Sequence, residues 1–256
     1  MSAAVTLRPA TAADLPTLRT WLPPGAALDL PEPDVDDELW LVAARAHDDA
    51  PQACLRLRRA IGLVQPRHWY HVGCVVHAAA ELGLFHRLQT LQLGNDHTGA
   101  SELADIAWQP DLDLPGQARA LQALVAGALA RVQAAPARYA PQLIVELPGL
   151  TDADGRSPFW QGLGRPFFAG DTAQAARRFG PAWRSHVAAL MPRQPVYTAF
   201  LPADAQAAIG QVAPAARVLA EVLWQAGLRY GHHITIDQGG PVFEVTLSAL
   251  LGERFD

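Results

Sequence analysis

The sequence predicts an α/β (α+β) protein built on one central, mostly antiparallel sheet with flanking helices and a C-terminal hairpin. Three observations carry that expectation. Short β-prone runs outnumber helical ones and mostly follow one another directly; one long stretch and several shorter ones carry helical spacing; and no internal repeat or low-complexity linker interrupts the series. A chain of 256 residues buries roughly three-quarters of its unfolded surface. It therefore needs no disulfide or metal to hold a core. We expect one unit over residues 1–256, with 1–150 and 151–256 as its sub-lobes if it divides.

The first strand is expected over Val5 to Arg8. Thr11 then stands where a helix N-cap would, and Leu15, Leu18 and Leu22 follow at helical spacing. The stretch from Asp29 to Glu38 holds six acids, two prolines and no base, which reads as a solvated connection. Glu38 to Ala46 and Ala53 to Ile61 alternate as two strands of a hairpin. Trp69 to Ala79 and Leu88 to Leu93 read as strands joined by residues 81–87, followed by a turn over Gly94 to Gly99 and a strand over Glu102 to Trp108. A helix is expected over Gly116 to Gln133, where Leu121, Leu124, Val125, Ala128 and Val132 share a face. The apolar run Gln142 to Leu147 reads as an inner strand. Ser157 and Pro158 open a short helix that Gly164 ends, and Pro214 to Ala226 forms an amphipathic helix stopped by Gly227. Leu228 to Asp237 and Val242 to Leu247 close the chain as a hairpin.

Composition removes several classes of function. Charged residues make up 18% of the chain and the net charge is −5. With no basic run beyond Arg56, Arg58 and Arg59, the footprint of a nucleic-acid binder is missing. The longest apolar stretches fall far short of the roughly 18 to 20 residues that span a bilayer, so no membrane association is expected. The two cysteines, Cys54 and Cys74, read as free thiols, and a cytoplasmic location follows. Every base is arginine and Asn95 is the single asparagine, a skew that reflects a GC-rich coding background. His232 and His233 point to opposite faces of a strand and make a poor metal pair; no metal site is expected.

Two stretches are distinctive enough to carry a resemblance. From Trp69 the chain reads WYHVGCVVHAAAELGLFHRLQTLQLGNDHTGASELADIAWQPD. From Glu146 it reads ELPGLTDADGRSPFWQGLGRPFF, and then, across Leu190 to Val212, LMPRQPVYTAFLPADAQAAIGQV. These blocks, with their motifs NDHTG, RSPFW and IGQV, resemble the arginine N-succinyltransferase family in content and order. The resemblance implies a fold of the GNAT acyltransferase superfamily and transfer of succinyl from succinyl-CoA, or another acyl-CoA, to the α-amino group of arginine in arginine catabolism. It implies that the strand before the long helix binds the pantetheine arm through its backbone near Ile106. The turn into that helix, with Gly116, Gln117 and Ala118, would bind the pyrophosphate through amide N–H groups. Acyl-CoA and a basic amino acid are the implied partners, and assembly with itself or with a related subunit is considered alongside them.

Two departures from the family pattern bear on chemistry. Asp113 puts a negative charge in the pyrophosphate turn and Pro115 removes an amide donor, so acyl-CoA is expected to bind weakly. The family's histidine proton donor directly after IGQV is Ala213 here. Within NDHTG, His97 is the expected stand-in for proton transfer, while Asn95, Asp96 and Glu102 are expected to bind the substrate, the carboxylates through its guanidinium. The rival expectation is a catalytically degenerate paralogue that binds a ligand or pairs with an active subunit.

Overall fold

The computed structural model describes residues 4–23, 28, 30, 38–170 and 172–252. Its strands are β1 (Val5–Pro9), β2 (Glu38–Arg45), β3 (Pro51–Arg58), β4 (Trp69–Ala79), β5 (Leu84–Gly94), β6 (Ser101–Trp108), β7 (Gln142–Glu146), β8 (Val196–Tyr197), β9 (Arg229–Thr235) and β10 (Pro241–Thr246). Its helices are α1 (Leu15–Trp21), α2 (Leu114–Ala134), α3 (Thr172–Phe179), α4 (Trp183–Ala188), α5 (Ala203–Ala208), α6 (Arg217–Gln225) and α7 (Leu247–Leu251). All ten strands join one sheet in the order β1-β2-β3-β6-β7-β10-β9-β4-β5-β8. Every pairing is antiparallel except β6 with β7. The expected α+β class with a mostly antiparallel sheet is what the chain forms. Strands from both sides of residue 150 interleave in that sheet, so it has no break at that point.

The two halves of the sheet carry separate cores. Leu121, Leu124, Val125, Ala128 and Val132, the face read from the spacing of α2, pack with α6 against Leu55 and Leu57 of β3, Leu103 of β6 and Leu143 and Val145 of β7. On the other half, Tyr70, Leu91, Leu93 and Ile234 pack with Phe159, Trp160, Trp183 and Val187. A further cluster packs Leu18 of α1 on Trp40, Val42 and Cys54, and a small one of Ile61, Trp69, Ala100, Ile144 and Val242 fills the face of the central strands that carries the candidate site.

Several boundaries differ from expectation for local reasons. Asp14 rather than Thr11 stands at the N-cap position of α1, but its side chain caps no helix N–H; its carboxylate is held by Arg8 and accepts from Thr11 N–H and Oγ1. Arg8 lowers the Asp14 pKa below the ordinary value, against the burial that would raise it. The acidic stretch from Asp29 lies mostly outside the described residues. Strands β4 and β5 form an eleven-residue ladder that runs to Ala79↔Leu84, so residues 84–87 are strand where a connection was expected. The helix opened by Ser157, whose Oγ accepts from Trp160 N–H at 3.1 Å, turns into a π-helix over Trp160–Gly164. The stretch before Pro214, expected to be irregular, holds α3, α4 and α5.

Candidate functional site

The site begins where the sheet fails to close. β6 and β7 pair in parallel at only two positions, Ser101↔Leu143 and Glu102↔Ile144. Beyond them β6 pairs only with β3, and β7 only with β10. Backbone groups left without a ladder need other partners. The divergence coincides with a bulge: the β3–β6 register shifts between Cys54↔Ala107 and Arg56↔Ala104, so Asp105 and Ile106 face Leu55 alone. Asp105 sits there at φ 49, a left-handed conformation that Asp tolerates better than most residues. Arg56 holds its carboxylate through Nε at 2.7 Å and through Nη2. Ile106 is half-buried against the α2 core.

The helices that follow the two strands flank the opening. Asp113 caps α2; its side chain accepts from Gly116 N–H at 2.9 Å. Its own charge thus occupies one of the amides expected to meet a pyrophosphate, while Gly116 and Gln117 are buried and Ala118 is half-buried. The entrance to α6 is tied to the end of β7, where Ala213 N–H donates to Pro148 O at 2.8 Å. Between Leu114, Ala118 and Gln122 of α2 and Arg217, Val218 and Val222 of α6 runs a groove of about 390 Å³.

A ladder of alternating charges crosses the other face of these strands. Arg56 and Arg58 both reach Glu38, at 3.0 Å each. Arg58 reaches Glu102 at 3.1 Å; Arg67 pairs with Glu102 at 2.7 and 2.8 Å and continues to Glu146 at 2.6 Å. Trp69 Nε1 also donates to Glu146 at 2.6 Å. Arg184 links Glu146, at 3.5 Å, to Asp237, at 2.8 Å. Burial would raise the pKa of Glu146, but Arg67 and Arg184 outweigh it and hold the group below its ordinary value. Asp237 is likewise held down, by Arg184 against its burial. Arg67 stays charged well above its usual range because Glu102 and Glu146 outweigh its desolvation. The ladder has four guanidiniums (Arg56, Arg58, Arg67, Arg184) and five carboxylates (Glu38, Glu102, Asp105, Glu146, Asp237), a net charge of −1. Oδ1 of Asp237 is buried without a hydrogen-bond partner.

The residues singled out in NDHTG lie elsewhere. Asn95 O accepts from Thr98 N–H at 2.9 Å to close the turn. His97 is 1% exposed, its ring 5.0 Å from Trp69 and 4.3 Å from His233. Asp96 is exposed and lies 3.4 Å from His233 Nε2. His97 contacts the side chain of Gln142, at the start of β7, at 3.4 Å. Ala213 is bonded to Pro148, beyond the other end of β7. Both oxygens of Glu102 are held by arginines, Oε2 by Arg58 and Arg67 and Oε1 by Arg67. Arg67, Arg184 and Asp237 escaped the sequence reading, because partners 35 to 79 residues apart leave no local spacing.

Comparison with known proteins adds three findings. The family model described as arginine N-succinyltransferase beta subunit matches residues 29–251. The arginine N-succinyltransferase of Salmonella arizonae is 39% identical over 195 residues, and that of Shigella boydii serotype 18 is 40% identical over 195 residues. Each match covers 76% of this chain and 56% of the relative, so the chain spans little more than half the length of the curated relatives it matches. The solved arginine/ornithine succinyltransferase subunit AI from Pseudomonas aeruginosa shares the fold, with a TM-score of 0.75 at 24% identity over 98% of this chain and 80% of the other.

Proposed function

The chain belongs to the arginine N-succinyltransferase beta subunit family, and on that premise we propose that it transfers a succinyl group from succinyl-CoA to the α-amino group of arginine or a similar basic amino acid. The observation that carries the reading is the opening between β6 and β7, with its bulge at Asp105 and Ile106. An extended pantetheine arm can bond the unpaired edge of β6 as an added strand would. Its phosphates then fall at the α2–α6 groove, which Arg217 and Glu221 both line. The acyl carbonyl falls near the end of β7.

The ladder explains the preference for a basic amine. Its one excess carboxylate and the bare Oδ1 of Asp237 favour a guanidinium. Glu102 and Glu146 act through Arg67, by holding it in place. Asn95 and Asp96, at the other end of the same face, are kept as outlying substrate contacts. The amine attacks the thioester carbon, the C–S bond breaks, and the amine proton leaves while the thiolate gains one. No histidine stands after IGQV to supply that proton, so the turnover we expect is slow.

Mass spectrometry after incubation with succinyl-CoA and arginine tests the reading. N2-succinylarginine is expected; none at high enzyme concentration overturns it. Calorimetry with CoA then separates the rival: a partner or ligand-binding subunit made from the same fold gives no product and no CoA binding.

A further inference from the structure

We propose that His97, His233 and Glu244 form a binding site for a divalent transition cation of the imidazole-preferring kind, with Zn2+ as its best fit. This does not rest on acyl transfer. One ring nitrogen of each histidine and one carboxylate oxygen of Glu244 all lie within 4.8 Å of one another. Adjacency in sequence contributes nothing here: His232 is not part of the set. It occupies a bulge at φ 57, where the β9–β10 register shifts from Val242↔His233 to Phe243↔Tyr230. The shift leaves His233 on the face that Glu244 shares, and the turn after β5 brings His97 to the same place.

Hydrogen bonding fixes which nitrogen of each ring is available. His233 Nδ1 lies 2.9 Å from Gly231 O, a group that only accepts, so Nδ1 carries the hydrogen. His97 Nδ1 faces Gln142 Oε1 at 3.4 Å. The amide of Gln142 is oriented by its own Nε2, which donates to Glu244 Oε2 at 2.9 Å. Gln142 therefore holds the His97 tautomer and one carboxylate oxygen together, as the outer partners of metal ligands do. In both rings the lone pair is left on Nε2, and both Nε2 atoms are buried without a hydrogen-bond partner. A buried acceptor left unmet is destabilising. Two such nitrogens beside a carboxylate call for a positive occupant.

A Cβ on Gly231 would collide with the carboxyl group of Glu244. Asp96 Oδ2, 3.4 Å from His233 Nε2, is an anion facing a lone pair, an arrangement that a cation between them resolves. Two imidazoles and one carboxylate with a further position open suit Zn2+, Co2+ or Ni2+ rather than the all-oxygen preference of Mg2+ or Ca2+.

The test uses the whole chain stripped of metal by chelation. Calorimetry with Zn2+ and the visible spectrum with Co2+ are read for the parent chain and for His233→Phe and Glu244→Gln. One equivalent of Zn2+, a Co2+ spectrum of low coordination number, no heat with Mg2+, and affinity reduced about tenfold or more in either variant support the site. Circular dichroism confirms that each variant is folded, and one folded variant suffices. No stoichiometric binding to the parent chain overturns the proposal, as does affinity unchanged in a folded variant.

Discussion

Asp113 illustrates how one side chain serves two ends at once. As the N-cap of α2 it meets a backbone N–H that a helix leaves open. As a charge it stands where the proposed cosubstrate carries its phosphates. Asparagine caps as well as aspartate does, so Asp113→Asn separates the two. The expected outcome is a KM for acyl-CoA lower by about three- to tenfold, from relief of a screened repulsion, with no change in melting temperature. Ala213 is the second informative residue. It caps the entrance to α6 at the end of β7, and its methyl stands where the family resemblance places an acid. Ala213→His is expected to raise kcat by about 10²-fold at nearly constant KM. Steady-state kinetics of the two variants check both, and a faster Asp113→Asn with unchanged KM would argue against phosphate at the helix turn.

At the scale of elements, close approaches and bulges decide more than propensity. Gly127 lies on α2 where the Leu7 side chain of β1 presses against the helix, and an added Cβ would overlap it. Gly127→Ala gains up to about 1 kcal/mol of helix propensity but overpacks the contact at a cost of about 1–3 kcal/mol. The net expectation is a lower urea midpoint. His232 works in the opposite sense: a β-carbon in the left-handed region costs about 1–2 kcal/mol, so His232→Gly should raise the stability by about 1 kcal/mol and the urea midpoint with it. Such features explain what the sequence hid. Helix α2 and strand β7 were legible because their apolar residues recur in short windows, whereas the bulge at Asp105 carries no glycine to mark it, and in the bulge of β9 the left-handed residue is His232 rather than its neighbour Gly231. The outer half of the β4–β5 ladder was read short because residues 84–87 are exposed on both faces and show no alternation.

Across the whole molecule the charge ladder is the longest structure that no local pattern announces. It runs from Glu38 on β2 to Asp237 after β9 and joins the two halves of the sheet. The NDHTG motif was visible, but only the folded chain shows that its histidine packs against Trp69 and His233. Because Glu146 and Asp237 have lowered pKa values in the folded state, the unfolded chain takes up their protons first as acid is added. Their stabilisation is complete above the ordinary carboxylate range near pH 4 and is lost as pH falls through the lowered folded values. Glu146→Gln leaves Arg67 and Arg184 without a shared anion and should cost on the order of 3 kcal/mol at neutral pH. Its melting temperature should also fall less steeply between about pH 5 and 2. Thermal unfolding across that range checks both slopes; parallel curves for parent and variant would remove Glu146 from the acid response.

Strand order also sets a timetable. The last strand made, β10, lies between β7 and β9 near the middle of the sheet, and β4 reaches the rest of the sheet only through β9. During synthesis β1, β2, β3 and β6 can assemble on α2 as soon as residue 134 has emerged. The β4–β5 hairpin, finished by residue 94, must wait with its apolar face open until residues 229–246 leave the ribosome. At about 5–20 residues per second, that wait lasts on the order of ten seconds. Of all stages in the life of this chain, it is the one most open to capture by a chaperone.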